Sequence, residues 1–164
     1  MNTPKITYTE NISAEVDNKM SAGHEKYEKE NGITINFKNF AFILSGEEGE
    51  ILGVLKAYTA FAEVYVEDLW VDELVRRKGY GTRLMQALEH HFKDKGYNNI
   101  NLVTNDFQAP PFYKKCGYEV EFIRVNKLNN KLTKTFFIKN LWVGVDIVEQ
   151  VQSVRVDNKS VFLV

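Results

Sequence analysis

Residues 76–82 form the segment of this sequence that points most directly to binding chemistry. In order they are Arg76, Arg77, Lys78, Gly79, Tyr80, Gly81 and Thr82. They follow an apolar segment and precede one with helical spacing. A helix begins with unpaired backbone N–H groups and the positive end of its dipole, which together attract phosphate. We expect the two glycines to let the backbone approach an anion without a Cβ in the way, and the three basic side chains to add positive charge. The segment therefore predicts a phosphate-binding loop.

Two common phosphate loops do not fit these letters. A Walker loop needs Gly-Lys-Ser/Thr after a four-residue gap from an earlier glycine, and that arrangement is missing here. A dinucleotide fingerprint needs a third small residue at the position of Leu84, and an acidic residue at the end of the next strand. The plain alternative is a tight turn that needs glycine only for its backbone. The basic triplet and the preceding strand favour phosphate binding over that alternative.

The elements on either side of the loop follow from hydrophobic periodicity. Residues 62–71 read as a strand that ends just before the loop. After the loop, Leu84, Met85, Leu88 and Phe92 fall on one face at helical spacing, which predicts an amphipathic helix. The loop is therefore expected at a strand-to-helix junction.

The rest of the chain predicts alternating elements of both types. Expected strands cover residues 5–9, 33–44, 50–60, 100–104, 118–125 and 134–139, and further helices cover residues 13–30 and 109–116. This order indicates a mixed α/β layer fold, which we expect to form one domain over residues 1–141. Residues 142–164 alternate apolar and polar positions, and three interpretations stay open for them: one or two extra strands, a dimer-forming arm or a tail.

A second motif lies downstream of the loop, in residues 105–118. It reads Asn-Asp-Phe-Gln-Ala-Pro-Pro-Phe-Tyr-Lys-Lys-Cys-Gly-Tyr. It resembles the Ala-x-x-aromatic-Tyr-x-x-x-Gly-Phe/Tyr signature of the GNAT N-acetyltransferases, and Arg76-x-x-Gly79-x-Gly81 resembles that family's Arg/Gln-x-x-Gly-x-Gly/Ala motif. Both motifs stand in the family's order and spacing. The resemblance covers roughly residues 33–141 and implies a central mixed, mostly antiparallel sheet of about seven strands flanked by helices.

The resemblance also implies a donor and its binding residues. Acetyl-CoA would place its pyrophosphate on the backbone of residues 76–82 and its pantetheine arm beside a splayed strand at Leu69, Trp70 and Val71. Tyr113 occupies the family's tyrosine position, where its hydroxyl would protonate the departing CoA thiolate. The competing interpretation is that Tyr113 is a core aromatic residue packed beside Phe112.

Acetyl transfer to an amine needs a neutral amine, a stabilised oxyanion and a protonated leaving group. Glu67 is the first candidate for the base, because regular alternation places it on the same strand face as Leu69 and Val71 unless a bulge intervenes. Asp68, Glu63 and an ordered water chain are the alternatives. The backbone N–H of Val71 is the candidate oxyanion donor. Asn105 either binds the CoA arm or serves as an ordinary turn residue. The same two interpretations apply to its neighbour Asp106.

Composition limits the other function classes. The chain has 164 residues, a formal net charge of −1 and one cysteine, Cys116, which we expect to be a buried structural thiol. No basic face favours nucleic acid, no window suits a membrane span, and His24, His90 and His91 have no metal-ligand spacing. We therefore expect a cytoplasmic protein with no metal, whose partners are acetyl-CoA and a small-molecule or peptide amine. The oligomeric state stays open, and a homodimer is one of the alternatives.

The leading hypothesis is an acetyl-CoA-dependent N-acetyltransferase in which the amine attacks directly in a ternary complex. An alternative from another class is a catalytically silent module that binds and senses acyl-CoA. A third is an interaction protein that exchanges strands through residues 142–164. The sequence does not identify the acceptor.

Overall fold

The computed structural model describes residues 3–142. In chain order the elements are α1 (Ala14–Glu30), β1 (Lys38–Ser45), β2 (Ile51–Ala60), β3 (Glu63–Val71), α2 (Tyr80–Phe92), β4 (Asn99–Asn105), α3 (Pro110–Lys115), β5 (Glu119–Arg124) and β6 (Lys134–Asn140). Short 3₁₀ turns at Glu73–Val75 and Asn130–Leu132 lie in the loops that follow β3 and β5.

One sheet contains all of the strands, in the order β1-β2-β3-β4-β6-β5. Only the β3–β4 pair is parallel, and the other four neighbouring pairs are antiparallel. A parallel pair needs a crossover connection, which α2 provides. The predicted mixed α/β fold with a mostly antiparallel sheet and flanking helices is thus confirmed, with six strands in the described residues where about seven were expected.

The predicted strand over residues 5–9 accounts for that difference. This segment has no strand pairing in the described chain, and its apolar side chains face solvent, with Ile6 99% exposed. Alternation alone did not suffice, because a strand also needs a sheet edge to pair with. The following strand was also predicted too long: β1 begins at Lys38, whereas residues 33–37 are irregular.

The core lies between α2 and one face of the sheet. Leu84, Met85, Leu88 and Phe92 of α2 are buried there, as the helical spacing predicted. Leu55, Val64, Ile100 and Phe137 are among the sheet residues that meet them. This packing fixes the start of α2 against the ends of the central strands.

The opposite face of the sheet, here called the open face, carries polar and aromatic side chains.

α1 begins at Ser13, whose hydroxyl accepts the Val16 N–H at 3.3 Å, as predicted for an N-cap. None of its residues is buried. Among the described residues, no helix is long and apolar enough to span a membrane. The predicted C-terminal extension covers residues 142–164, and all of it beyond Trp142 lies outside the described residues.

Candidate active site

β3 and β4 separate part-way along their length. Their parallel pairing runs from Glu63 opposite Asn99 to Val66 opposite Leu102, and no further. β3 nevertheless continues to Val71 and β4 to Asn105. The ends of the two strands therefore flank a wedge-shaped gap, referred to below as the β3–β4 gap.

A β-bulge in β3 lies where the gap opens. Lys56 of β2 pairs with Asp68, whereas the next residue, Ala57, pairs with Val66, so Glu67 is the extra residue. A bulge changes which face each side chain occupies. Before it, Val64 and Val66 face the core, whereas after it the odd-numbered residues do.

Backbone groups of β3 point into the gap. The Asp72 N–H donates to Leu52 O of β2 at 3.0 Å, so by strand alternation the N–H and C=O of Val71 and Leu69 point away from β2. The Arg76 Nε donates to the Val71 carbonyl at 2.9 Å. The N–H groups of Leu69 and Val71 and the carbonyl of Leu69 thus point into the gap and have no partner there within residues 3–142.

The loop before α2 turns sharply and exposes the start of that helix. Arg77 and Gly79 both have left-handed backbones, with φ values of 63° and 81°, whereas Arg76 is extended. Gly79 is the N-cap of α2 and supplies no side-chain cap, so the first N–H groups of that helix remain available.

The two glycines of the loop are required for different reasons. A Cβ on Gly79 would meet no atom within 4 Å, so only its left-handed φ calls for glycine. A Cβ on Gly81 would lie 3.2 Å from Phe112 Cζ of α3. Gly81 therefore allows α2 to pack closely against α3, and since it also lines the cavity described next, the expectation that a Cβ here would occupy the anion's space stays a prediction.

A cavity of about 520 Å³ joins the gap to the loop. Its walls come from the end of β3, the loop, the start of α2 and one side of α3. They are Leu69, Val71, Arg76, Arg77, Gly79, Tyr80, Gly81, Thr82, Ala109, Phe112 and Lys115. Apolar walls with a basic, N–H-rich end suit a long ligand with a phosphorylated end.

Tyr113 lies beside this cavity, within the core. It is 9% exposed and packs against Phe112, Tyr118 and Phe137 at centroid distances of 5.1–6.4 Å. Burial raises the pKa of Tyr113 to about 12, with smaller contributions from Cys116 and from the negative charge of Asp68. The hydroxyl therefore stays protonated at neutral pH. The effect of Asp68 shows that Tyr113 lies close enough to the β3 bulge to sense its charge.

Glu67 and Asp68 both lie on the open face. Lys56 Nζ is 3.1 Å from Glu67 and 3.8 Å from Asp68, and the hydrogen bond and charge of Glu67 are the main reason why the pKa of Lys56 is raised. The expectation that Glu67 shares a face with Leu69 and Val71 is wrong, because the bulge intervenes. Glu67 nevertheless borders the apex of the gap.

Glu63, the other acidic candidate, is part of a hydrogen-bonded cluster on the open face. Its carboxylate accepts the Tyr65 hydroxyl and, at 2.9 Å, the Asn101 Nδ2. The hydrogen bond to Glu63 is the main reason why the pKa of Tyr65 is raised to about 12. This cluster begins three residues before the gap opens at Val66.

Comparison with known proteins identifies the family. The model of the acetyltransferase (GNAT) family matches residues 9–118. The chain belongs to this family.

Individual GNAT relatives agree with the match. The chain is 35% identical over 82 residues, 49% of its length and 60% of the relative's, to blasticidin-S acetyltransferase from Streptomyces morookaense. A solved acetyltransferase from Bacillus cereus ATCC 14579 is 29% identical with a TM-score of 0.67, over 82% of this chain and 97% of that one. A putative streptothricin acetyltransferase from Bacillus anthracis, solved with acetyl coenzyme A, is 22% identical with a TM-score of 0.56, over 68% and 66% of the two chains. The last likeness concerns the fold alone.

Membership in the GNAT family confirms the family assignment made from the two motifs. The chain spans about half to three-fifths of the length of the curated relatives that it matches. The activity of the whole protein is therefore a proposal.

Three cavity residues were missed by the sequence reasoning: Ala109, Phe112 and Lys115. Their spacing of three along a short helix places them on one side, which is a signal that the sequence contained. Conversely, Lys78 and Trp70, both predicted to bind the donor, do not line the cavity and are exposed. The basic side chain that α3 adds is Lys115.

Asn105 stands at the end of β4, outside the cavity wall. Its backbone N–H donates to Gln108 Oε1 at 2.9 Å, and its side-chain amide to the same oxygen at 3.3 Å. These bonds favour the turn interpretation over a contact with the CoA arm. Cys116 is half-buried, and burial raises the pKa of its thiol, which suits a structural role. Within residues 3–142, no group of three or more His, Cys, Asp or Glu residues could hold a metal ion.

Proposed function

We propose that this protein is an N-acetyltransferase that transfers the acetyl group of acetyl-CoA to a small-molecule amine by direct attack in a ternary complex. The observation that carries the proposal is the β3–β4 gap, which opens into a cavity whose far end is the basic loop of residues 76–82. The gap and the loop line the same cavity, so one extended molecule with a thioester at one end and a nucleotide at the other could bind both.

The residues around the cavity fit the parts of acetyl-CoA. The pyrophosphate would bind the N–H groups of the loop and of the first turn of α2, with Arg77 and Lys115 providing charge. The pantetheine amides would pair with the gap-facing backbone of Leu69, as an added strand does. The Arg76 side chain already binds the Val71 carbonyl. The Val71 N–H points into the gap and would donate to the thioester oxygen.

The transfer itself requires no nucleophile from the protein. The amine nitrogen forms a bond to the thioester carbon, its proton leaves to a base, and the C–S bond breaks to release CoA. Tyr113 would act as a hydrogen-bond donor to the departing sulfur. Since its pKa of about 12 is well above that of a thiol, about 8.5, complete proton transfer to a free thiolate is unfavourable.

We further propose that the acceptor approaches from the open face and that Glu67 removes its proton. The cavity of about 520 Å³, called the donor cavity from here on, lies on the side covered by α2 and α3, whereas Glu67 borders the gap on the other side. Replacing Glu67 by Gln should lower kcat/KM at pH 7 by about 10²-fold, in the range of a lost general base. The loss should shrink at high pH, where the free amine is already neutral.

Asp68→Asn is the matched control for Glu67→Gln, because it removes the same charge from the same Lys56 ion pair. It should keep kcat/KM within about threefold, since the effect of an exposed ion pair is small. Equal losses in the two variants would refute Glu67 as the base.

The relatives support a small-molecule acceptor. One of them is named for blasticidin S. A peptide acceptor and a homodimer stay predictions that no observation here tests.

The donor assignment is tested by titration calorimetry with CoA. Wild-type protein should bind CoA, and Arg77→Gln should weaken binding about tenfold, because a charge-assisted contact to phosphate is lost. Lys78→Gln is the matched control, since Lys78 is adjacent in sequence but outside the cavity wall. It should change the affinity less than about twofold. A folded wild-type protein that does not bind CoA would contradict the proposal.

A further inference from the structure

A second cavity, about 340 Å³ in volume, lies between α1 and the irregular segment that leads into β1. Glu28 of α1 and Asn36 of the segment line it together with the aromatic rings of Phe37 and Phe61. It lies beside the turn between β2 and β3, away from the donor cavity. It is called the α1 cavity below.

Two buried oxygen atoms at this cavity have no hydrogen-bond donor within residues 3–142: Glu28 Oε2 and Asn36 Oδ1. Asn36 is held in place, because its Nδ2 donates to the Phe61 carbonyl and its own carbonyl accepts the Thr59 hydroxyl at 2.6 Å. Its Oδ1 is thus fixed as an acceptor. An unpaired buried polar atom is costly, more so when it belongs to a charged group. A ligand that fits here must therefore bring N–H or O–H donors and, because of Glu28, positive charge.

Aromatic rings connect this cavity to the apex of the β3–β4 gap. Phe37 contacts Tyr58 at a centroid distance of 5.6 Å, and Tyr58 stacks on Tyr65 at 5.0 Å with an interplanar angle of 12°. Tyr65 lies one residue before Val66, the last residue of β3 that pairs with β4. Ring faces attract cations, so this row offers a favourable path for a cationic chain.

We propose that the α1 cavity binds a primary ammonium group, which donates hydrogen bonds to Glu28 and Asn36 between aromatic walls. Glu28 Oε2 and Asn36 Oδ1 are closed to solvent, so the ammonium binds after rotation about the side-chain bonds of Glu28 turns its carboxylate toward the cavity.

We assign this ammonium to the far end of the acceptor, an assignment that rests on the proposed acetyltransferase function. Phe61 precedes Val66 by five residues, roughly 17 Å of extended strand. The acceptor is therefore an elongated molecule with at least two amino groups.

The inference is tested by calorimetric titration with α,ω-diamines and with monoamines of the same chain length. Wild-type protein should bind long diamines at least about tenfold more tightly than the matched monoamines, because the second ammonium gains charged hydrogen bonds. Glu28→Gln should abolish this difference. Glu25→Gln, a charge change on the same helix but outside the cavity wall, should preserve it.

Equal diamine preference in Glu28→Gln and Glu25→Gln, or none in wild-type protein, would overturn the cation site. Mass spectrometry after incubation with acetyl-CoA should detect the acetylated diamine, with KM rather than kcat altered in Glu28→Gln. Diamine that binds through Glu28 but is never acetylated would overturn the acceptor assignment. A parallel CoA titration separates these failures from that of the proposed function, because it does not involve the α1 cavity.

Discussion

At the scale of single residues, the neighbours Phe112 and Tyr113 show how α3 divides its contacts. Phe112 lines the donor cavity and supports the start of α2 at Gly81, whereas Tyr113 packs into the core. The two residues differ by about 100° around the helix axis. The sequence anticipated such a division, but it could not decide which ring would line the cavity.

Tyr113→Phe should lower kcat by about 10–100-fold and leave KM for acetyl-CoA nearly unchanged. The reason is the loss of one hydrogen bond to a developing thiolate, about 1.5–3 kcal/mol, while the ring still packs. Since burial raises the pKa of Tyr113 to about 12, we also expect kcat to show no ionisation of this group below about pH 11. Steady-state kinetics across the pH range measures both effects.

Tyr118→Phe provides the control for the Tyr113 variant. Tyr118 is buried in the same aromatic cluster, and its hydroxyl has no hydrogen-bond partner in the described residues. Its removal should leave kcat intact. If Tyr113→Phe also keeps wild-type kcat while chemistry is rate-limiting, Tyr113 is only a packing residue.

At the scale of elements, α2 links stability to the site, because its buried face and its N-terminus belong to one rigid helix. Leu88 is fully buried in the middle of that face. Leu88→Ala should reduce the free energy of unfolding by about 2–5 kcal/mol through lost burial and a cavity. Gln86→Ala, on the exposed side, should stay within about 0.5 kcal/mol. Chemical denaturation measures both, and a similar small effect for the two variants would contradict the core assignment.

Local patterns were sufficient to predict most of these elements. The apolar spacing of α2 and the strand type of residues 62–71 are properties of the segments themselves, and both predictions are confirmed. The bulge at Glu67 and the β3–β4 gap are not local properties, since they exist only through pairing with β2 and β4. For this reason most of the loop residues that line the cavity could be predicted as a candidate site, whereas the face occupied by Glu67 could not.

At the scale of the whole molecule, the sheet separates the route of the proposed donor from that of the proposed acceptor, and both routes lead to the β3–β4 gap. The donor cavity lies on the side of α2 and α3, and the aromatic row with Glu63 and Glu67 lies on the open face. The two meet where β3 and β4 part. A ternary complex with direct attack requires such an arrangement, because the donor and the acceptor must reach the thioester carbon from different directions.

The central claim is that this protein transfers acetyl groups rather than only binding CoA. The most direct test is to follow free thiol and acetylated amine in the same reaction, with acetyl-CoA and a panel of amines. We predict thiol release that depends on the amine, with one acetylated amine formed for each thiol. A folded protein that binds CoA but forms no acetylated product with any amine in the panel, or releases thiol equally without amine, would contradict the account.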